Sequence, residues 1–313
     1  MMNEIDIVIP MVFPQDAEWQ ADYERCKGGA AGTLRHARYR SWGTEELQVR
    51  CIRKYMPWVH RIHILLARES QVQPWMRDID HLPLTIDHLP LTIEHGPLNI
   101  VFHKDFIPAG YLPCFSSPCF EMFLGRIPGL SEQFIYANDD MFPLSPLKAE
   151  DFFVGGLPCH HFNELPAPVG PNLFERKCMF QLNMVGDPFN RHYKETFLKA
   201  EHTFAPILKS SCEEVWRRHG DEISRYLNPL KRTDRSVNHY VYMLYQQFAG
   251  LSVDRSPRQQ YVGASKQLSD VRRAILDPEA GIVCINDNGS VERWEERASV
   301  VRDCIAHKLN IDH

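Results

Sequence analysis

The sequence of 313 residues lacks several of the features that would place it in a special class. Its nine cysteines are an odd number, are scattered from Cys26 to Cys304, and include no C-x-x-C pair. A disulfide framework or a cysteine-ligated zinc site is therefore not the expected reading. Reduced, mostly buried thiols in a reducing compartment are. The start, Met1-Met-Asn-Glu-Ile-Asp6, has no basic n-region and no apolar core, so it is not read as a signal peptide. No apolar run reaches the ~18 residues that a spanning helix needs. A basic excess is missing too. The formal net charge is -5, which argues against an extended nucleic-acid surface. These absences predict a cytoplasmic protein without a transmembrane segment and without a nucleic-acid partner.

What is present is ordinary globular material: 44% hydrophobic and 24% charged residues, enough to bury a large core without staples. Ile5-Asp-Ile-Val-Ile9 reads as a first buried strand closed by Pro10. A helix follows from about Thr44 to Met56, with Leu47, Cys51, Ile52 and Tyr55 at helical spacing and Pro57 ending it. Ile62 to Leu66 is a second strand, which completes a βαβ unit. Leu98 to Phe102 is a third. A helix carrying Phe120, Phe123, Leu124 and Ile127 on one face stops at Pro128-Gly129. Phe134 to Ala137 is a fourth strand.

Beyond residue 150 the pattern changes. The chain reads as irregular to about residue 195 and as helical after that. An apolar stripe (Val237, Tyr240, Val241, Leu244, Tyr245, Phe248) predicts a helix over 236–248, and an amphipathic helix is expected over 293–308. The expectation is a single unit over 1–313. An α/β core occupies 1–150, and an irregular and helical part, 151–313, completes the site.

Residues 80–100 hold an internal repeat, Asp80-His-Leu-Pro-Leu-Thr-Ile86, Asp87-His-Leu-Pro-Leu-Thr-Ile93 and a degenerate Glu94-His-Gly-Pro-Leu-Asn-Ile100. Its three evenly spaced histidines suggest metal, but a proline in every unit prevents a helix from aligning them. A duplicated surface segment is the expected reading.

The chemistry centres on Asn138-Asp139-Asp140. Two adjacent carboxylates stand at the carboxyl end of a buried strand, where open α/β sheets place their ligand crevice. Such acids need a cation, an arginine or a proton. A hard divalent ion, Mg²⁺ or Mn²⁺, bridging diphosphate oxygens would satisfy them; a solvated strand-ending turn would as well. Asp16, after the first strand, could reach the same crevice. The basic residues Lys27, Arg35, Arg38, Arg40, Arg50 and Arg53 lie close together and suit a phosphate. His202, one of 15 histidines, could serve as a general base or as a cation on phosphate. His160-His161 beside Cys159 has no partner pair at metal spacing and is set aside.

Taken together, these pieces resemble the Stealth family of sugar-phosphate transferases. The first block is Ile5 to Trp19, with Asp16 matching the family's later acid and Phe13 standing where the earlier acid would be. The second runs from Arg40-Ser-Trp-Gly-Thr-Glu-Glu46 through Leu112-Pro-Cys-Phe-Ser-Ser117 to Ile127-Pro-Gly-Leu-Ser-Glu-Gln-Phe-Ile-Tyr-Ala-Asn-Asp-Asp-Met-Phe142. The third is His202-Thr-Phe-Ala-Pro206 with Arg232, and the fourth is Cys284-Ile-Asn-Asp-Asn288.

The resemblance implies an α/β, Rossmann-like nucleotide-sugar transferase core (GT-A-like) with a helical C-terminal half packed on it. It implies attack of a glycan hydroxyl on the β-phosphorus of a UDP-linked or similar donor. The sugar then leaves with its phosphate, and a nucleoside monophosphate is released. In this reading Asp140, His202 and Arg232 are catalytic. Asp16, Arg40, Ser117, Asn138 and Asp139 bind substrate, and Asp139 and Asp140 hold the divalent ion or orient the acceptor. The setting would be capsular or exopolysaccharide synthesis at the inner membrane face, with a lipid-linked acceptor an option. A conventional metal-dependent glycosyltransferase and an inactive glycan-binding paralogue stay open beside it.

Overall fold

The computed structural model describes residues 4–27, 39–78, 84–86, 89–91, 98–287 and 293–311. The strands used below are β1 (Ile5–Pro10), β2 (Arg61–Leu66), β3 (Leu98–Phe102), β4 (Gln133–Tyr136), β5 (Met141–Pro143), β6 (Ala205–Leu208), β7 (Gln259–Gly263) and β8 (Ile282–Asn286). The helices are α1 (Ala17–Lys27), α2 (Glu45–Tyr55), α3 (Ser117–Glu121), α4 (Leu173–Gly186), α5 (Lys209–Tyr226), α6 (Tyr240–Phe248), α7 (Leu268–Leu276) and α8 (Trp294–Leu309).

The main sheet has the order β6-β4-β1-β2-β3. β4, β1, β2 and β3 run parallel, and β6 closes the edge antiparallel to β4. This is the expected α/β class. Side chains alternate across the sheet as a strand's two-residue period requires. Ile5, Ile7 and Ile9 enter one buried cluster, while Val8 enters the cluster on the other face.

α2 wedges between two cores. Val49, Ile52 and Met56 pack on the main sheet, and Cys51 and Tyr55 pack on a second core with α7 and α8. That second core covers a small sheet of order β7-β8-β5. β5 begins directly after the acidic turn. Asn138-Asp139-Asp140 is therefore the corner where the chain leaves the parallel sheet and enters the small one.

Three elements differ from the sequence expectation. The helix expected across Phe120 to Ile127 is broken into α3 and a 3₁₀ turn, Leu124–Arg126. Its four apolar residues still share one cluster. The tight turn brings Gly125 against α5, where a Cβ would stand 2.8 Å from that of Cys212. The stripe over 236–248 becomes helical only at Tyr240. Side chains from elsewhere take the preceding amides: Gln181 accepts from the Asn238 N–H (3.0 Å) and Glu121 from the His239 N–H (3.2 Å). The stretch expected to be irregular contains α4, and the strands on either side of it, Phe162–Pro166 and Thr196–Ala200, pair antiparallel. Asn172 caps α4 by accepting the Phe174 and Glu175 amides.

Within the repeat, Leu84–Ile86 pairs antiparallel with Leu89–Leu91, and the remaining repeat residues before Leu98 lie outside the described set. All nine cysteines are free thiols, eight of them buried. Among the described residues no helix is long and apolar enough to cross a membrane.

Candidate active site

A cavity of about 580 Å³ opens at the carboxyl edge of the main sheet. This is the size range of a small-molecule site. Its wall draws on both halves of the chain, from Pro10 at the end of β1 to Asp287 after β8.

The acidic turn is held from two sides. Gln48 of α2 donates from its amide to the carbonyls of Asn138 (2.7 Å) and Met141 (2.8 Å). The Ile285 N–H donates to the Asp140 carbonyl at 2.8 Å. The Asn286 side-chain amide donates to Asp140 Oδ2 at 3.1 Å, while Asp140 Oδ1 is buried with no hydrogen-bond partner among the described residues. An orphaned carboxylate oxygen in a cavity wall is costly unless a cation or substrate proton meets it.

Asp139 is pushed up to about 8, first by desolvation, then by the neighbouring charges of Asp140 and Glu45. Its proton is thus retained near neutrality in the absence of a cation. For a carboxyl raised on folding, the cost appears as pH rises above the unfolded value and is complete once pH passes the folded one. Asp139→Asn removes that cost. Its gain in Tm in chelator-treated protein is expected to be near zero at pH 4, to grow towards pH 8 and to level off above it. A gain independent of pH would show that Asp139 is already ionised.

His202 precedes β6, the antiparallel neighbour of β4, and this places it beside the acidic corner. Cys284 pairs in register with Met141 across β8 and β5. As a result Asp140, His202 and Cys284 offer three potential ligand atoms within 4.8 Å of one another. Burial lowers the His202 pKa, with Asp140 pulling against it. Burial and the Asp140 charge raise the Cys284 thiol. The orphaned Asp140 oxygen and a neutral imidazole fit a divalent ion. The nitrogen suits Mn²⁺ or Zn²⁺ better than Mg²⁺, which favours all-oxygen sets. Of the two acids expected to hold the ion, Asp140 belongs to this group of three, and Asp139 is its neighbour in the chain.

Three cations, Arg40, Lys177 and Arg232, line the same cavity. Arg40 forks onto Asp287 at 2.8 and 2.7 Å, and its guanidinium lies 3.8 Å over the Trp294 ring. Trp294 in turn stacks on Trp42 with centroids 3.9 Å apart. Arg232 donates to Ser117 Oγ at 2.7 Å. Lys177 of α4 lines the same wall, its pKa lowered by burial although Glu121 draws it upwards. Glu121 of α3 accepts from His239 Nδ1 at 2.6 Å and is held down to about 2, where the His239 and Lys177 charges outweigh its desolvation.

Of the residues singled out from sequence, Arg40, Ser117, Asn138, Asp139, Asp140, His202 and Arg232 all line this cavity. Asp16 is not among the lining residues. Its carboxylate accepts from the Trp19 N–H (2.7 Å) and the Ser70 hydroxyl (3.0 Å), which caps the start of α1. Phe13 is half-buried and packs against the core under the main sheet. Of the described members of the basic cluster, Arg40 lines the cavity and Arg50 and Arg53 do not. Arg50 bonds Glu46 on its own helix and Arg53 is buried away from the cavity wall. Arg35, Arg38 and the Lys27 side chain lie outside the described residues.

Sequence reasoning missed Glu45, Glu121, Lys177, His239, Asn286 and Asp287. For Asn286 and Asp287 a signal existed in the Cys284-Ile-Asn-Asp-Asn288 string. Lys177 was lost because α4 was not recognised.

With this geometry in view, comparison with known proteins is informative. Residues 38–158 match the family described as Stealth protein CR2, conserved region 2. The chain is 29% identical over 249 residues to the capsular polysaccharide phosphotransferase cps1A of Actinobacillus pleuropneumoniae, covering 75% of this chain and 63% of that one. It is 25% identical over 341 residues to the capsular polysaccharide phosphotransferase WcwK of Streptococcus pneumoniae, covering 98% and 96%. To the receptor polysaccharide phosphotransferase WefC of Streptococcus oralis it is 28% identical over 309 residues, covering 94% and 87%. The chain thus spans just under two thirds of the first relative and nearly all of the second. A solved galactosyltransferase, LgtC, in complex with donor and acceptor sugar analogues aligns over 95% of both chains at 12% identity and a TM-score of 0.44, a distance at which nothing about the site is carried over.

Proposed function

We propose that the chain, whose residues 38–158 match Stealth conserved region 2, is a Stealth-type enzyme that transfers a sugar 1-phosphate from a nucleoside-diphosphate sugar to a glycan hydroxyl, in the assembly of a capsular or related surface polysaccharide. The observation that carries this reading is the composition of one cavity, whose wall includes Asp140 and His202 together with Arg40, Arg232 and Lys177. Phosphoryl transfer needs this kind of wall. The phosphorus is attacked while charge spreads over its oxygens, so the protein's main task is positioning and charge stabilisation.

Arg232, with Ser117 steadying its fork, is assigned to the transferring phosphate, and Lys177 of the same wall to the same charge. Arg40 is anchored by Asp287 and Trp294 before substrate arrives, so it contributes a preorganised charge rather than a mobile one. The curated relatives are named phosphotransferases of capsular and receptor polysaccharides, which supports a glycan acceptor. We assign residues 1–313 to one catalytic unit, because both halves build the wall.

Asp140 and His202, with Cys284 adjacent, would hold a divalent ion. When bound, it would act as a Lewis acid that neutralises diphosphate charge. Treatment with a chelator is expected to abolish transfer, and Mn²⁺ to restore it more fully than Mg²⁺. The reaction class is tested by incubating the protein with UDP-glucose, UDP-galactose and UDP-N-acetylglucosamine plus oligosaccharide acceptors. UMP as the released nucleotide is expected. UDP would mean ordinary glycosyl transfer, and no release would mean a binding protein.

A further inference from the structure

The cavity contains two histidines, and the fold treats them differently. His202 shares its surroundings with Asp140 and Cys284, the group suited to a cation. A ring nitrogen directed at a cation has no lone pair left for a proton. His239, which caps the start of α6, is instead tied to a carboxylate. Glu121 Oε2 accepts from His239 Nδ1 at 2.6 Å and also from the His239 backbone N–H at 3.2 Å. The ring is packed between Tyr136, at 4.6 Å, and Tyr240, at 4.7 Å.

We infer that His239 is the group that takes the proton from the attacking hydroxyl, with Glu121 as its positioning residue; this rests on the transferase reading above. Glu121 is 4% exposed and ionised, so it can only accept in this bond, which keeps a proton on Nδ1 and makes Nε2 the nitrogen that exchanges one with a substrate. Among the described residues no protein group takes Nε2, and His239 is part of the cavity wall. A base held by a carboxylate through its other nitrogen is the arrangement that activates a hydroxyl nucleophile. The bond from Glu121 to the backbone of the same residue fixes where the ring can point.

The step balances without a further reactant. The acceptor O–H proton passes to His239 Nε2 as the acceptor oxygen bonds to the β-phosphorus. The bond from that phosphorus to the bridging oxygen breaks, and the electron pair leaves with the nucleoside monophosphate. The imidazolium then returns its proton to water. The charged and titratable groups around the ring are Glu121 on α3, Lys177 on α4, Tyr136 on β4, Tyr240 on α6, His202 before β6, and His160 behind it.

A purely structural role, fastening α6 to α3, makes different predictions. The test uses the full chain with whichever of UDP-glucose, UDP-galactose or UDP-N-acetylglucosamine yields UMP with an oligosaccharide acceptor. His239→Ala is expected to lower kcat by about 10² to 10³-fold with the donor KM within about threefold of wild type. Added imidazoles should restore rate, more so as their basicity rises. Glu121→Gln keeps an acceptor for Nδ1–H but removes the charge that favours imidazolium. The acidic limb of its kcat–pH profile should therefore shift to lower pH.

Retention of full turnover in His239→Ala would overturn the inference. So would a loss that follows only a fall in Tm, with no response to imidazoles and an unmoved pH limb in Glu121→Gln. If wild type releases no UMP with any of the three donors, the underlying reading fails and the inference falls with it.

Discussion

Asp140→Asn is expected to lower turnover by about 10²-fold or more while leaving the protein folded, because it removes charge and almost no volume. The contacts that hold the turn survive the change. The Ile285 N–H reaches the backbone carbonyl of residue 140, Gln48 reaches those of residues 138 and 141, and the new amide oxygen can still accept from Asn286. What disappears is the charge shared by Oδ1, which has no hydrogen-bond partner among the described residues. Two neighbours should respond in the same sense, both pKa values falling. His202 loses the carboxylate that draws its pKa upwards, and Asp139 loses the like charge that holds its proton on. Steady-state kinetics beside thermal melts check this. Near wild-type turnover would remove Asp140 from the chemistry.

Arg232→Ala is expected to cost about 10²-fold in turnover, with a stability change within about 0.5 kcal/mol. Arg232 is exposed although it lines the cavity, so its removal leaves no void in the core. Arg232→Lys should recover only part of the loss, since an ammonium presents a point charge where the guanidinium presents a planar fork. An Arg232→Lys protein as active as wild type would show that charge alone suffices at this position. Equal turnover in Arg232→Ala would place the phosphate elsewhere in the cavity.

The parts of this account that were legible in the sequence share a physical property: their signal is local. The β-branched runs at Ile5–Ile9 and Ile62–Leu66 became adjacent parallel strands, and an acidic turn at a strand's end faced a cavity, because such turns close strands at the ligand edge of α/β sheets. The resemblance then identified His202, Arg40 and Arg232, all of which reached that cavity.

What stayed hidden depends on pairing between distant segments. Cys284 comes to Asp140 only because β8 pairs with β5, and Asp287 holds Arg40 only through the same small sheet. His239 sat in a stripe read for its apolar residues alone, and its meaning appears when Glu121 arrives from another element. Asp16 differs from these: its carboxylate caps α1, and it is not among the residues that line the cavity.

The central claim is that the sugar moves together with its phosphate. A donor labelled at the β-phosphorus with ³²P tests it most directly. After incubation with the acceptor, the label is predicted in the glycan product, resistant to phosphatase as a diester should be, with unlabelled nucleoside monophosphate in solution. Label recovered in nucleoside diphosphate, with an unlabelled glycan, would contradict it.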